Sequence, residues 1–390
     1  MKRLNPSITG LQGSVYSKLA HRLASYEGEV YPLHVGDTWM DPAPGLRMQD
    51  VQQAEHPSVH RYTSVHGTAG LLDACVDTLR TRTGQLEERS NVLVSAGATG
   101  GLCAVVGAMV APGDEVLILA PFWPLIGGMI QSFGGTAVPV PVTAASTVGP
   151  ALHPDADAPT AMVARLEAAV TSRTVAVYVN TPSNPTGVVF PRAWLEALVA
   201  FARAHDLWIL ADEVYDRYVF EGDHVYTRPL APERTVAAYS FSKAFGMAGY
   251  RAGFLAGPSD VLAEAKKVST HTYYSTPTPA QVVGQRALEG AADAWVANAK
   301  ASYAQAGREA AARLGVPSPG GGTFLFVDAA ESLDDRGVGG LLEDVVSEGL
   351  FVAPGASFGP FPTHVRLCFT AAAPDVVQRG VDVLARRLGR

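Results

Sequence analysis

The most informative stretch of this chain is SFSKAFGMAGYR, residues 240–251, which follows a short apolar run. Lys243 therefore lies just after a candidate buried strand, whereas the other five lysines occupy polar or terminal contexts. Partial desolvation lowers the pKa of an amine and makes it a nucleophile toward an aldehyde. Ser240, Ser242 and Arg251 add hydroxyl groups and a fixed positive charge that suit a phosphate. A lysine buried in a structural salt bridge is the alternative interpretation.

Similar apolar runs recur along the chain and alternate with longer alanine-rich segments of helical period. This alternation predicts an α/β fold with a mostly parallel central sheet between helices. The candidate strands are residues 92–95, 115–119, 175–179, 207–210 and 235–239. Loops rich in Gly, Pro, Ser, Asn or Asp follow them, and ligands of open α/β sheets bind at such strand ends. Beyond about Pro279, a stretch at residues 281–313 and candidate strands at 323–327 and 364–367 indicate a second lobe.

Two of these loops carry polar side chains that fit a pyridine-type cofactor. Asp212 comes two residues after the run at residues 207–210, and a carboxylate there could keep a pyridine ring nitrogen protonated. Tyr215, about one turn later, could donate a hydrogen bond to a ring oxygen. Asn184 lies in a proline-rich loop whose rigidity would fix its amide against a ligand oxygen. Taken alone, the acidic motif could equally cap a helix or bind a metal.

A phosphate site and a stacking residue are predicted from the two preceding loops. Residues 95–101, SAGATGG, separate a strand from the apolar run at residues 102–111, which is too short to span a bilayer and is interpreted as a buried helix. The free amides of Ala98 and Thr99 at its N-terminus could receive an anion, although a glycine-rich turn without a ligand remains an alternative. Trp123 follows the next strand and could stack on a cofactor ring or belong to the core.

Composition excludes several classes of protein. The chain has 390 residues, 47% of them hydrophobic, which is enough for a large core and two domains. Its net charge of -7 and its lack of a basic run argue against nucleic acid or an anionic membrane as a partner. No signal peptide is recognised, and three widely spaced cysteines predict reduced thiols and a cytoplasmic location. His56 and His60 lack a third ligand, so no metal site is expected.

Taken together, these motifs resemble the class I/II aminotransferases of pyridoxal 5′-phosphate (PLP) fold type I, and the similarity extends over nearly the whole chain. The segment from Ser240 to Gly253 is similar to the lysine signature of that family, and residues 181–187, 212–215, 112–114 and 354–359 occur in the family order. The resemblance implies a large PLP-binding domain at residues 46–280. It also implies a smaller α/β domain formed by residues 1–45 and 281–390.

The resemblance also implies a role for each site residue. Lys243 would hold PLP as an aldimine and act as the acid and base of the proton shift, while Asp212 would pair with the ring nitrogen. The other implied cofactor contacts are Asn184 and Tyr215 at the ring hydroxyl, Trp123 on the ring, and Ala98, Thr99, Ser240, Ser242 and Arg251 at the phosphate. The substrate carboxylate would be bound by Arg366, Asn184 and the backbone of Gly36. Tyr62 would reach the phosphate of a neighbouring subunit, which implies a homodimer with shared sites.

The implied activity is transfer of an amino group from an L-amino acid to a 2-oxo acid by a ping-pong mechanism. A PLP-dependent lyase, decarboxylase, cyclase or oxidase would use the same residues and remains an alternative. A PLP-binding regulator is opposed by the short segment before Gly36, and a nicotinamide dehydrogenase by the missing dinucleotide motif. Thr38 and Trp39 stand where family members often carry proline, and residues 270–277 contain no arginine. We therefore expect a neutral or aromatic-lined substrate pocket, to which Trp39, Tyr274 and Phe358 would contribute, rather than an aspartate specialist.

Overall fold

The structure, a computed structural model, describes residues 4–11, 19–142 and 158–390. Within these ranges the strands form a seven-stranded sheet and a three-stranded sheet. The strands are β1 (Val92–Ser95), β2 (Glu115–Ala120), β3 (Thr136–Pro141), β4 (Thr174–Asn180), β5 (Trp208–Asp212), β6 (Thr235–Ser240), β7 (Gly253–Ala256), β8 (Phe324–Asp328), β9 (Ala353–Pro354) and β10 (His364–Cys368). Each predicted strand therefore exists, with limits shifted by at most a few residues.

The helices of the described ranges surround these sheets. They are α1 (Pro6–Thr9), α2 (Ala69–Thr83), α3 (Gly97–Met109), α4 (Leu125–Ser132), α5 (Ala158–Ala169), α6 (Arg192–Ala204), α7 (Phe241–Ala244), α8 (Ser259–His271), α9 (Thr278–Arg286), α10 (Asp293–Arg313), α11 (Gly337–Ser347) and α12 (Pro374–Arg387). None of them is long and apolar enough to cross a membrane.

The large sheet has the strand order β1-β7-β6-β5-β4-β2-β3. Five consecutive strands pair in parallel, from the edge strand β3 through β2, β4 and β5 to β6. The next strand, β7, runs antiparallel to both β6 and β1. The predicted α/β fold with a mostly parallel central sheet is thus confirmed. Successive side chains of a strand enter the hydrophobic clusters on opposite faces, as Val177 and Tyr178 of β4 do.

The smaller sheet has the order β8-β10-β9 and is antiparallel. A parallel bridge between Tyr31 and Leu350 connects the N-terminal part of the chain to this region. The stretch predicted at residues 281–313 is helical but interrupted, because a π-helical turn separates α9 from α10 and Gly290 has a φ of 103°. The domain limits at residues 45/46 and 280/281 stay a prediction.

Candidate active site

A cavity of about 210 Å³ lies where the carboxyl ends of β2, β4, β5 and β6 meet. Every predicted site residue except Tyr62 lines it. The lining contains Gly36, Ala98, Thr99, Trp123, Asn184, Asp212, Tyr215, Ser240, Ser242, Lys243, Arg251 and Arg366, together with Val35, Leu102, Leu125, Asn180, Val214 and Ala248. Parallel strands place the ends of successive βα units at one edge, which is why residues so distant in sequence converge here.

Lys243 is presented to the cavity by the short helix α7, which begins directly after β6. The side chain of Ser240 caps this helix by accepting a hydrogen bond of 3.1 Å from the amide of Ser242. The Nζ atom of Lys243 donates a hydrogen bond to the carbonyl oxygen of Gly36. Burial lowers the pKa of Lys243, and the nearby negative charge of Asp37 acts in the opposite direction. The amine is therefore better suited to nucleophilic chemistry than an exposed lysine.

Asp212 ends β5 and is buried. Its Oδ2 atom accepts a hydrogen bond of 2.6 Å from the hydroxyl of Tyr178. Its Oδ1 atom is also buried and has no hydrogen-bond partner among the described residues. Burial raises the pKa of Asp212 to about 6, although hydrogen bonds from the Tyr178 hydroxyl and, to a smaller extent, the Val214 backbone lower it. A buried acceptor with one oxygen unsatisfied fits a cationic N–H donor such as a protonated pyridine ring.

Asn184 is held in place by Asn180, the last residue of β4. The Asn180 side chain accepts a hydrogen bond of 2.6 Å from the Asn184 amide and donates one of 2.8 Å to the Asp212 carbonyl. The predicted rigid loop at Asn184 is thus fastened to the neighbouring strand β5. The two asparagines therefore act at different places: the Asn180 side chain holds the backbone at Asn184, and Asn184 contributes its side chain to the cavity.

Arg366 of β10 is fully buried, and its guanidinium lies between two aromatic rings. The guanidinium carbon is 4.4 Å from the ring centroid of Phe324 and 4.7 Å from that of Phe358. Its nitrogens donate hydrogen bonds to Oδ1 of Asn184, at 3.0 Å, and to the carbonyl oxygen of His34. A planar cation fixed in this way suits bidentate binding of a carboxylate. Phe358 therefore packs against the guanidinium of Arg366. It is not part of the described cavity lining, where the sequence had led us to expect it.

The opposite end of the cavity suits an anion. Ala98 and Thr99 lie in the first turn of α3, where backbone amides have no helical acceptor. Gly97 has a φ of 69°, and a Cβ atom there would lie 2.6 Å from a terminal nitrogen of Arg251. Arg251 itself has a φ of 54°, and its Nη1 donates to the Ala248 carbonyl at 2.8 Å. Helix amides, serine hydroxyls and a guanidinium thus converge as a phosphate requires.

The aromatic residues differ in their placement. Tyr215 is buried and packs edge-on against Phe324, with 5.8 Å between ring centroids. Trp123 is half-buried in the cavity wall, which favours the stacking interpretation over a core role. Tyr62 is 89% exposed and contacts Tyr274 edge-on, outside the lining of its own chain. Trp39 and Tyr274 are also partly exposed and lie outside this lining.

Sequence reasoning missed Tyr178 and Asn180 as site residues. Both lie on β4, two residues apart, and so face the same side of the sheet as Asp212 of the adjacent strand. Their polar groups in an otherwise apolar strand were an available signal. Val35, Leu102, Leu125, Val214 and Ala248 also line the cavity. These apolar residues carry no sequence signal that separates them from ordinary core positions.

The fold, and the groups that line this cavity, are those expected of a PLP-dependent enzyme of fold type I. Comparison with known proteins identifies the family. The family model for "Aminotransferase class I and II" matches residues 30–384, and the chain belongs to that family. The aspartate/prephenate aminotransferase of Thermus thermophilus is 32% identical, with 85% of this chain and 84% of that protein covered. The arginine–pyruvate transaminase of Pseudomonas aeruginosa is 31% identical, with 87% and 85% covered.

Solved structures agree with the family assignment. The aspartate aminotransferase of Thermus thermophilus with maleate has a TM-score of 0.88 and 26% identity, covering 99% of this chain and 100% of its own. Class I/II aminotransferases of this fold depend on PLP, so the protein is a PLP-dependent aminotransferase. The predicted family, fold, cofactor and reaction type are thus confirmed, and a lyase, decarboxylase, cyclase or oxidase is not favoured.

Proposed function

We propose that the cavity around Lys243 is where this aminotransferase binds PLP, takes the amino group of an α-amino acid and passes it to a 2-oxo acid. The observation that carries the proposal is the arrangement in one cavity of a desolvated amine, a buried carboxylate with an unsatisfied oxygen, an anion site and a fixed guanidinium. Each of these groups matches a different part of PLP or of an amino acid.

PLP fits these residues at both of its ends. The unsatisfied Oδ1 of Asp212 would accept a hydrogen bond from the ring nitrogen. The amides of Ala98 and Thr99, with Ser240, Ser242 and Arg251, would bind the phosphate, while Trp123 would stack on the ring, and Asn184 and Tyr215 would contact the ring oxygen. When bound, PLP supplies an electron-accepting ring that stabilises negative charge at the substrate Cα.

The side chains of this chain would carry out the remaining work. Lys243 would attach the cofactor covalently and, once displaced by the substrate amine, move a proton from the substrate Cα at its Nζ atom. Arg366 would bind the substrate carboxylate, with Asn184 and the backbone of Gly36 beside it, and so fix the orientation of the Cα–H bond. The same groups would serve the reverse half-reaction with a 2-oxo acid, giving ping-pong kinetics.

We further propose that the preferred amino donor has a neutral side chain. Lys243, Arg251 and Arg366 are the basic residues of the described cavity lining. Each of them would already be engaged by the cofactor or by the α-carboxylate. Val35, Leu102 and Leu125 add apolar surface. The relatives are named for different substrates, aspartate and prephenate in one case and arginine and pyruvate in another, so their names do not decide the matter.

A homodimer that completes each site with the partner's Tyr62 is also proposed. Tyr62 is 89% exposed and Tyr274, which it contacts, is 46% exposed. A pair of exposed large aromatic side chains in contact with each other is typical of a surface that is covered in an assembly. A cytoplasmic location stays a prediction, supported by three free cysteines.

The test is to mix holoenzyme with single amino acids and record conversion of the cofactor to pyridoxamine phosphate. We expect conversion, reversal by 2-oxo acids, and faster conversion by neutral donors than by aspartate or glutamate. Lys243→Ala should abolish conversion, whereas Lys266→Ala, an exposed lysine on α8, should leave it unchanged. Release of ammonia or carbon dioxide without the pyridoxamine form would refute transamination. A preference for acidic donors would refute the neutral-substrate proposal alone.

A further inference from the structure

Tyr178 makes the shortest contact to the carboxylate of Asp212 that the described residues provide. Its hydroxyl donates a hydrogen bond of 2.6 Å to Oδ2, and the Tyr178 side chain is fully buried. The hydroxyl proton is donated to Oδ2, and Oδ1 has no hydrogen-bond partner among the described residues. The contact therefore occupies Oδ2 and leaves Oδ1 for the cofactor.

The sheet makes this contact stiff. β4 and β5 are adjacent parallel strands, with Tyr178 opposite Leu210 and Asn180 opposite Asp212. Tyr178 packs in the same hydrophobic cluster as Leu210, and its ring thus points along the face on which the Asp212 side chain lies. Asn180 adds a hydrogen bond of 2.8 Å to the Asp212 carbonyl. Backbone and side chain of Asp212 are consequently both held by β4.

The hydrogen bond also has an electrostatic effect. Burial favours the neutral form of Asp212, whereas a donated hydrogen bond favours the ionised form. A carboxylate that is ionised leaves the proton on the ring nitrogen of a bound pyridine, while a carboxylate of higher proton affinity takes that proton. The Tyr178 hydroxyl therefore bears on where the shared proton resides.

We propose that Tyr178 is a positioning residue of the transamination reaction, which directs Oδ1 of Asp212 at the cofactor ring nitrogen and keeps the proton on that nitrogen. The inference rests on the proposed role of Asp212. Tyr178 is not part of the described cavity lining, so its effect on the reaction would pass through Asp212. Its loss should accordingly slow the proton-transfer step without weakening substrate binding.

The experiment compares wild-type holoenzyme with Tyr178→Phe, loaded with PLP labelled with ¹⁵N in the ring. The ¹⁵N resonance of the variant should move toward the value of neutral pyridine, and kcat should fall about 10- to 100-fold with KM nearly unchanged, the range expected for one hydrogen bond to a charged group. Apoenzyme of the variant should also bind PLP more weakly. The control is Tyr226→Phe, which removes a similar 3.0 Å hydrogen bond to Asp216 outside the cavity.

Asp212→Asn and the double variant with Tyr178→Phe separate the possible outcomes. If Tyr178 acts through Asp212, the second substitution has no further effect on the resonance or on kcat in the Asp212→Asn background. An unchanged resonance in Tyr178→Phe, while Asp212→Asn moves it, would overturn the role of Tyr178 and leave that of Asp212 standing. An unchanged resonance in both variants would overturn both roles. Equal effects of Tyr178→Phe and Tyr226→Phe would indicate a general loss of packing and would also overturn the inference.

Discussion

Asp212 and Asp216 lie four residues apart but face different surroundings. Asp216 accepts hydrogen bonds from Arg82, at 2.8 Å, and from Tyr226, at 3.0 Å. Asp212 has Tyr178 and no cationic side chain beside it among the described residues. The negative charge of Asp216 is thus balanced by the protein itself, whereas that of Asp212 would be balanced by a positive charge on a ligand.

The apoenzyme should therefore gain stability from Asp212→Asn. Burial raises the pKa of Asp212 from 3.8 to about 6, so the folded chain binds a proton there more tightly than the unfolded chain. Stability is lost at this site as the pH rises from about 4 to 6, and the loss persists above pH 6. At pH 8 the variant apoenzyme should be more stable by up to about 3 kcal/mol, measured by urea unfolding.

The gain should narrow between pH 6 and pH 4, and PLP should reverse it by binding the wild-type enzyme more tightly. Asp216→Asn serves as the control, because it breaks a charged hydrogen bond and should destabilise the apoenzyme at pH 8. A variant Asp212→Asn that is less stable than the wild-type apoenzyme at pH 8 would contradict the argument.

Arg366→Lys should raise KM for the amino acid about 10- to 100-fold and lower kcat less, because the planar fork is lost while the charge stays. The flanking rings of Phe324 and Phe358 also fit a flat guanidinium better than an ammonium group. Steady-state kinetics with saturating 2-oxo acid measure the effect. Arg379→Lys, in an exposed ion pair on α12, should change neither constant. An effect on kcat alone would place Arg366 elsewhere in the reaction.

At the scale of elements, the N-terminus of α3 is shaped by Gly97. Its φ of 69° favours glycine, and a Cβ atom would collide with Arg251. Gly97→Ala should weaken PLP binding about tenfold or more and cost the holoenzyme about 1 kcal/mol or more of stability. Equilibrium dialysis of the apoenzyme measures the first effect. The control is Gly113→Ala, because Gly113 has a φ of 96° and open space where a Cβ atom would lie. This variant should be less stable but bind PLP as the wild type does. Equal losses of PLP affinity in both variants would refute the proposed phosphate site at the N-terminus of α3.

Sequence predicted elements best where burial imposed a pattern. β2, β4, β5 and β6 are apolar on both faces and were recognised, and their terminal loops led to Lys243, Asp212 and Asn184. β3 was missed because it is a partly exposed edge strand with Pro139 and Pro141 in it. The contacts between elements could not be predicted, since the Tyr178–Asp212 hydrogen bond depends on strand register.

At the scale of the whole molecule, the site draws on both sheets. Lys243 and Asp212 follow strands of the large sheet, whereas Arg366 belongs to the small one and Gly36 to the N-terminal part of the chain. Hydrogen bonds from Lys243 to Gly36 and from Arg366 to Asn184 cross between these parts. The proposed dimer extends this convergence to a second chain, because Tyr62 lies outside its own cavity lining.

Subunit complementation tests the proposed dimer directly. Tyr62→Ala and Lys243→Ala enzymes should each be impaired, Tyr62→Ala through weaker PLP binding. When the two variants are unfolded, mixed in equal amounts and refolded with PLP, half of the dimers are hybrids in which one of two sites has both native residues. Activity should therefore recover to about a quarter of the wild-type value. The control is a mixture of Lys243→Ala with Arg251→Ala. Lys243 and Arg251 line the same cavity of one chain, so every site of a hybrid dimer lacks one of these two residues. Activity in this mixture should therefore not recover. Recovery in neither mixture would show that each chain builds its site without the partner's Tyr62.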